Sequence, residues 1–418
     1  LIKLCLLTAK RMFKDWKRRR NIWINKVLRR CARYVLDKHK PLIIAVTGSY
    51  GKTMTKDFVA EILRKKYHNL LKTKGSQNFK GVPATILRIP LTSSYTRFIQ
   101  RLPKILWEIY FSKFYPDLLI LELGITHPKK LRRLVKFVRP KIGIVTGIGS
   151  SHLEFFKTKE RVAQEKSWLP KLLPKSGLAI LNYDDSRVRA MAQKTQAKVL
   201  FYGLNPGADT EVGNLKVNLL GISFKLIYKK REREIVIPGL INKYHTYSVL
   251  AACACALACD MDFDEIVTTL PYLKTIKGRG NLIPGIKKSL VIDDSYNSNP
   301  TSCSAALENL KELGKKRRKI AILGDMLEQG DYTEEGHRKV GRLAAKTMDY
   351  LVGVGPASKF ILNEVARQDM SFKKIVWYKN SELAARDLPS KIKTNDIILV
   401  KGSHAMEMEK IVKVLTKK

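Results

Sequence analysis

Cysteine is scarce in this chain. Its six cysteines form no CxxC pair and no Cys/His spacing suited to zinc. That excludes a disulfide-stapled fold and a zinc module, and it fits a reducing compartment. Cys253, Cys255 and Cys259 stand among alanines in AACACALAC and read as small core residues. No run of 18 apolar residues occurs, so no membrane span lies within these residues. Acidic residues are also few, 37 against 79 Lys and Arg, which leaves a net charge of +42. Internal repeats and low-complexity tracts are absent. What is present, 45% apolar and 28% charged residues, is the balance of a folded chain. A length of 418 residues predicts two or three domains, each able to bury a core.

A basic surface of this size attracts nucleic acid, anionic lipid or anionic small molecules. The first 40 residues hold 14 Lys/Arg against 2 Asp, a net of +12. The other 378 hold 65 against 35, still +30, so the excess is global with an enriched N-terminus. Global excess points to anionic substrates more than to a specific nucleic-acid face. Residues 1–36 mix Leu, Ile, Trp and Val with Arg and Lys at helical spacing. Two readings stand open there: an amphipathic helix on an anionic membrane, or a basic helix packed on the next domain. The segment has no signal-peptide cleavage site.

After Pro41 the texture changes. PLIIAVTGSYGKTMTKDFVAEIL reads as a buried strand, a Gly-rich turn and a helix. Apolar runs recur at 117–123, 141–147 and 178–182 with helical stretches between them, which predicts a mostly parallel sheet. A β-rich passage follows over 211–238, then a small-residue helix over about 247–259 and another from Asp264. KGRGNLIPGIKK, 277–288, reads as a linker. Beyond it SLVIDD, KIAILGD, DYLVGVG, KIVWY and DIILVKG predict a second, smaller doubly wound unit. The expected layout is a basic segment 1–40, a P-loop-containing central ATP-binding domain 41–280 and a C-terminal Rossmann-like domain 281–418, an α/β architecture throughout.

TGSYGKT, Thr47 to Thr53, is a G-x-x-G-K-T turn between strand and helix. Such a turn aims backbone N–H groups and a helix N-terminus at phosphate; Lys52 meets β/γ-phosphate oxygens and the Thr53 hydroxyl can ligate Mg²⁺. Val46 stands where the usual G-x4-G-K-[ST] pattern has its first Gly. Glu122 ends the strand LLILE, at the sheet edge where ligands bind. Taken alone it reads as a salt-bridged strand end; beside a triphosphate it suits Mg²⁺. His152 lies just beyond a third strand. Three ligand-type groups after three parallel strands point to a metal site. Lys166, in RVAQEKSWLP, carries almost no information by itself in so basic a chain.

Together these elements resemble the Mur ligase family, the ATP-dependent amide-forming enzymes of cell-wall peptide assembly. The resemblance implies that Thr47, Gly48, Ser49, Gly51, Lys52 and Thr53 cradle ATP. It implies that Thr53 and Glu122 hold one Mg²⁺ and His152 a second, and that Lys166 is carbamylated in some members, bridging to metal as an anion. Asn78, in KTKGSQNFKGVPATIL, is implied near the reacting groups. PGLINKYHTYSVLAACACA resembles the adenine-contacting segment, with Asn242 retained, Ile241 in place of His, and His245 where a second Asn is expected. Arg279 matches the arginine that reaches ATP on domain closure. VIDDSYNSNP, with Asp294, Tyr296, Asn297, Asn299 and Pro300, resembles the signature of the D-alanyl-D-alanine-adding branch. ILGDMLEQG and LVKGSHAMEMEKIV extend the match, placing Lys401 and Ser403 with the substrate and His404 where Arg is usual.

The activity so implied is formation of an acyl phosphate from a UDP-N-acetylmuramoyl-tripeptide carboxylate, then amide formation with D-Ala-D-Ala. A cytoplasmic monomer is expected, with peripheral contact to the inner membrane face through residues 1–36. Conventional members grip the UDP-sugar with a further N-terminal domain. Here about 45 residues precede the P-loop, so the open readings are a domain outside these residues or its replacement by the basic segment. Two alternatives stay open: another Mur-fold amide ligase of pseudomurein or cyanophycin type, or a basic nucleic-acid-dependent P-loop ATPase.

Overall fold

Apolar runs and helix-period segments alternate through the chain, and they fold into two separate sheets. The computed structural model describes residues 23–74, 81–89, 114–125, 127–150, 152–368 and 374–416, with isolated positions between 100 and 111. Residues 1–22 and Asn78 lie outside the described residues.

The first sheet is built from β1 (Leu42–Thr47), β2 (Leu70–Lys72), β3 (Leu118–Glu122), β4 (Ile142–Val145), β5 (Leu178–Asn182), β6 (Lys198–Tyr202), β7 (Thr210–Asn218), β8 (Gly221–Tyr228) and β9 (Arg231–Pro238). Their order is β2-β3-β1-β4-β5-β6-β7-β8-β9. Pairing is parallel from β2 to β6, and β7, β8 and β9 form an antiparallel meander. β1 is central because its run LIIAVT is covered on both faces. The helices Lys52–Leu63 and Tyr244–Ala258 cover one side. Their contact accounts for AACACALAC: its small buried side chains let the two helix backbones approach. Cys253, Cys255 and Cys259 are free and buried there.

The other face carries the helix Lys130–Val138, whose Leu131, Leu134, Val135 and Val138 follow the i, i+3, i+4, i+7 rule and are buried. Residues 23–39 form a helix on top of it. Leu28, Ala32, Val35 and Leu36 face the same core, and Arg33 donates to the Lys136 carbonyl at 3.3 Å. Burying Leu28, Val35 and Leu36 contributes roughly 5–9 kcal/mol of transfer free energy. For residues 23–36 the structure therefore favours the packed helix over a membrane-facing one, because their apolar stripe is already covered.

The second sheet contains β10 (Asn281–Pro284), β11 (Leu290–Asp294), β12 (Lys319–Gly324), β13 (Tyr350–Val354), β14 (Ile375–Tyr378) and β15 (Ile397–Lys401), in the order β10-β11-β15-β12-β13-β14. All pairs are parallel except β10 with β11. The stretch 277–288 is thus more than a linker: its middle is an antiparallel edge strand. Pro284 sits at the end of that strand, where a missing N–H is tolerated.

Candidate active site

Both sheets turn the C-terminal ends of their strands toward one cleft, the position α/β sheets reserve for ligands. It encloses about 630 Å³, within the range of small-molecule sites. On the central side lie the P-loop, Glu122, His152, Lys166, Asn242 and His245. Opposite stand Arg279, Asp294, Asn297, Lys401 and Ser403.

The P-loop is shaped by two glycines. A Cβ on Gly48 would sit 1.8 Å from Thr146 Oγ1, so only glycine lets β1 turn there. Gly51 caps the helix Lys52–Leu63 with a left-handed φ of 74°. The Ser49 amide donates to the Gly147 carbonyl at 2.8 Å, tying the loop to the chain after β4. Thr47 is fully buried and its hydroxyl donates to the Leu123 carbonyl at 3.1 Å, a structural duty.

The pairing of β1 with β3 sets Val46 beside Glu122 and so brings the carboxylate to the P-loop. Thr53 Oγ1 donates to Glu122 Oε1 at 3.1 Å. Arg279 Nη2, from the junction stretch that leads into β10, reaches the same hydroxyl at 3.1 Å. Glu122 Oε2 is buried and accepts no hydrogen bond; Lys56 Nζ approaches only to 3.9 Å while donating to the Thr73 carbonyl. Among the described residues no cluster of three His, Cys, Asp or Glu forms a metal cage. An orphaned carboxylate oxygen beside a P-loop threonine nonetheless has the donor chemistry for Mg²⁺ bound together with phosphate oxygens.

His152 adopts a left-handed φ of 58° at the start of the helix Leu153–Phe156. Its Nδ1 lies 2.6 Å from Glu328 Oε2 of the second domain, a close approach without the alignment of a formed hydrogen bond. Burial lowers the His152 pKa; Glu328 opposes that shift, and Lys52 and Lys166 add to it. The Glu154 amide also donates to the Glu328 carbonyl at 3.3 Å, and Lys157 pairs with Asp331 at 3.4 Å. These contacts and Arg279–Thr53 hold the domains closed.

Lys166 is buried, and burial drives its pKa well below the ordinary lysine value, with the Lys52 charge adding to the effect. The neighbouring Glu165 opposes this shift. Its carboxylate accepts the Lys129 and Leu131 amides at 2.8 Å each, at the start of the helix Lys130–Val138. Burial lowers the Lys52 pKa as well; Glu122 opposes it and Arg279 adds to it.

Several other predicted residues line the cleft while serving the fold. Asn299 caps the helix Pro300–Leu313, accepting the Ser302 amide at 2.9 Å. Ser403 Oγ accepts the Leu327 amide at 2.8 Å. Asn297 Oδ1 accepts the Ser298 amide at 2.8 Å. Register puts Asp294 beside Lys401, and their side chains pair at 2.7 Å. Burial raises the Asp294 pKa against the pull of Lys401 and Arg279. Ile241 contributes to the second domain's apolar core, which accounts for a hydrophobic residue there. His404 stacks on Tyr296 at 5.4 Å, and the Arg279 guanidinium lies 4.1 Å from the same ring. Sequence reasoning missed Glu328 and Lys56. The string ILGDMLEQG was the one signal for Glu328, and nothing local singles out Lys56.

The Mur ligase middle domain family matches residues 46–256, and the family's glutamate ligase domain matches residues 278–404. The chain belongs to the Mur ligase family. It is 28% identical to the UDP-N-acetylmuramoyl-tripeptide--D-alanyl-D-alanine ligase of Mycobacterium bovis over 382 residues, 87% of this chain and 70% of that protein. The Escherichia coli ligase of the same name is 29% identical over 376 residues, covering 89% and 76% of the two chains. The crystal structure of MurF from Acinetobacter baumannii superimposes with a TM-score of 0.80 at 25% identity, covering 94% of this chain and 81% of that one.

Proposed function

We propose that this chain is an ATP-dependent, ADP-forming peptide ligase that adds D-Ala-D-Ala to UDP-N-acetylmuramoyl-tripeptide in peptidoglycan precursor synthesis. One observation carries the reading: Arg279, at the junction of the two domains, and Glu122 of the central domain meet on the P-loop hydroxyl of Thr53. That arrangement serves phosphoryl transfer, which needs positioning and cationic charge more than acid–base groups. The relatives named for this reaction give its substrates.

In the proposed reaction the tripeptide carboxylate attacks the γ-phosphorus of ATP. A new P–O bond forms, the β–γ bridge breaks and ADP leaves. The D-Ala-D-Ala amine then attacks the acyl carbon; the C–N bond forms, phosphate leaves and the amine gives up a proton. Lys52 and Arg279 hold the charge of the transferring group. Thr53 and Glu122 would hold one Mg²⁺ and His152 a second, which would supply charge neutralisation at phosphate oxygens. Lys166, held toward the neutral amine by burial, is suited to take up CO₂ and act as a carbamate ligand. Asn242, His245 and Asp294 face the nucleotide; Asn297, Asn299, Lys401 and Ser403 face the acceptor side. Closure over these groups keeps water from the acyl phosphate. The layout is 1–40, 41–280 and 281–418, and the enzyme works as a cytoplasmic monomer at the inner membrane face. No helix among the described residues is long and apolar enough to cross a membrane.

The test is phosphate release from ATP and Mg²⁺, with the tripeptide substrate alone, with D-Ala-D-Ala added, and with single-stranded nucleic acid instead. Release that needs both peptide substrates and falls at least 100-fold in Lys52→Ala supports the ligase. Release driven by nucleic acid alone refutes it.

A further inference from the structure

Outside the cleft, one feature of the described surface has no role in the ligase reading. Leu106, Trp107, Tyr110 and Phe111 lie in helical backbone. Trp107, Tyr110 and Phe111, spaced i, i+3, i+4, share one face, with exposures of 65%, 58% and 63%. Phe114 follows at 84%. The Trp107 and Phe111 rings pack on each other at 4.2 Å and remain largely exposed. Aromatic rings bring large apolar area, and a contiguous exposed group of them marks an interaction site.

Topology fixes where this ridge lies. Tyr110 meets the last turns of the 23–39 helix: its ring is 5.2 Å from Tyr34 and its carbonyl accepts Lys38 Nζ at 2.9 Å. Tyr115 stacks on His39 at 4.9 Å. Asp117 then accepts the Leu42 amide at 2.8 Å, where β1 and β3 begin. The ATP cleft is at the opposite ends of those strands, about 20 Å away along the six residues of β1. A partner on the ridge leaves the cleft open.

Charge selects the partner. The adjoining helix contributes Lys26, Arg29, Arg30, Arg33 and Lys38 against Asp37 alone, within a chain of net +42. A second copy would bring the same positive charge to the contact and be repelled. Nucleic acid would stack bases on aromatic faces, but Trp107 and Phe111 cover part of each other's. Trp, Tyr and Phe beside Lys and Arg is the pattern that seats a protein in an anionic lipid interface. We propose that the Trp107–Tyr110–Phe111 ridge, flanked by the basic 23–39 helix, docks the enzyme on anionic phospholipid. The proposal concerns a different surface from residues 1–22 and does not depend on the ligase reading.

The test is flotation of the full 418-residue chain with phosphatidylcholine vesicles, with and without phosphatidylglycerol, at low and high salt. Wild type is expected to float with the anionic vesicles at low salt. The double variant Trp107→Ser/Phe111→Ser is expected to lose at least tenfold in partitioning while keeping its far-UV spectrum and its soluble ATPase activity. Brominated lipid is expected to quench wild-type fluorescence more than that of Trp107→Phe, which keeps an apolar ring. Absence of wild-type binding, or equal binding by the double variant, overturns the proposal. So does a double variant that loses self-association or single-stranded nucleic-acid binding while still floating.

Discussion

His245 offers a direct check on how the central domain treats charge. Its imidazole is buried at the cleft, with Nδ1 unpartnered and Arg279 nearby, and burial first and Arg279 second lower its pKa from 6.5 to about 4. The native state therefore binds fewer protons than the unfolded chain between those values. Stability is fully present above pH 6.5 and declines as pH falls toward 4, the sign expected for a base kept neutral by burial. The loss is about 2 kcal/mol at pH 5 and about 3 kcal/mol below pH 4. His245→Asn removes the titration and restores the residue type expected from the family resemblance. The assay is urea unfolding of wild type and variant at pH 7 and pH 5, scored as the difference between their midpoints, since a two-domain chain need not unfold in one step. With a slope of about 2–3 kcal/mol per molar urea, the midpoints should diverge by roughly 0.7–1 M more at pH 5 than at pH 7. Parallel behaviour at the two pH values, or an imidazole titrating near 6.5 by NMR, would refute the reasoning.

Glu328→Gln should weaken the hold of the second domain on His152. The expected result is a several-fold rise in the Mg²⁺ concentration for half-maximal activity, with a more open scattering profile in the absence of substrates; unchanged values for both would remove Glu328 from closure. Lys166→Arg keeps a cation and cannot form a carbamate, so ligation should fall at least 100-fold, and a carbamate signal from ¹³C-bicarbonate should be present in wild type and missing in the variant. Arg279→Ala should raise KM for ATP about tenfold or more, because Thr53 loses its contact from the interdomain junction; an unchanged KM would show that the contact is incidental.

Much of this site is local in the sequence. TGSYGKT announces itself because a strand, a glycine turn and a helix are consecutive, and Glu122 because it ends an apolar run. The resemblance to a known family then orders His152, Lys166, Arg279 and Asp294, which no periodicity links. What stayed hidden depends on contacts between distant segments. Glu328 meets His152 across the domain gap, and Lys56 looks like any surface lysine until its helix is packed against β2 and β3. The 277–288 stretch misled because three Gly and a Pro fall within its twelve residues, although the end of an edge strand tolerates Pro. The basic N-terminal region was ambiguous for a related reason. An amphipathic stripe at 28–36 is the same pattern whether lipid or the helix Lys130–Val138 covers it, and only the fold tells which.

The +42 charge divides accordingly into two populations with different physics. Exposed lysines and arginines act through water and are screened within about 8 Å at physiological salt, so they can steer anions or hold a lipid surface but cannot fix a triphosphate. Lys56 and Lys166 are buried and Lys52 is half-buried in the cleft, and burial lowers the pKa of each. Glu122 opposes this for Lys52 and Lys56, while the like charge of Lys52 adds to it for Lys166. A bound polyphosphate would favour the charged forms of Lys52 and Lys166 and so oppose the effect of burial. Arg279 adds a like charge beside Lys52 and Glu328 an opposite one beside His152, so closure acts on the same charges that the chemistry uses.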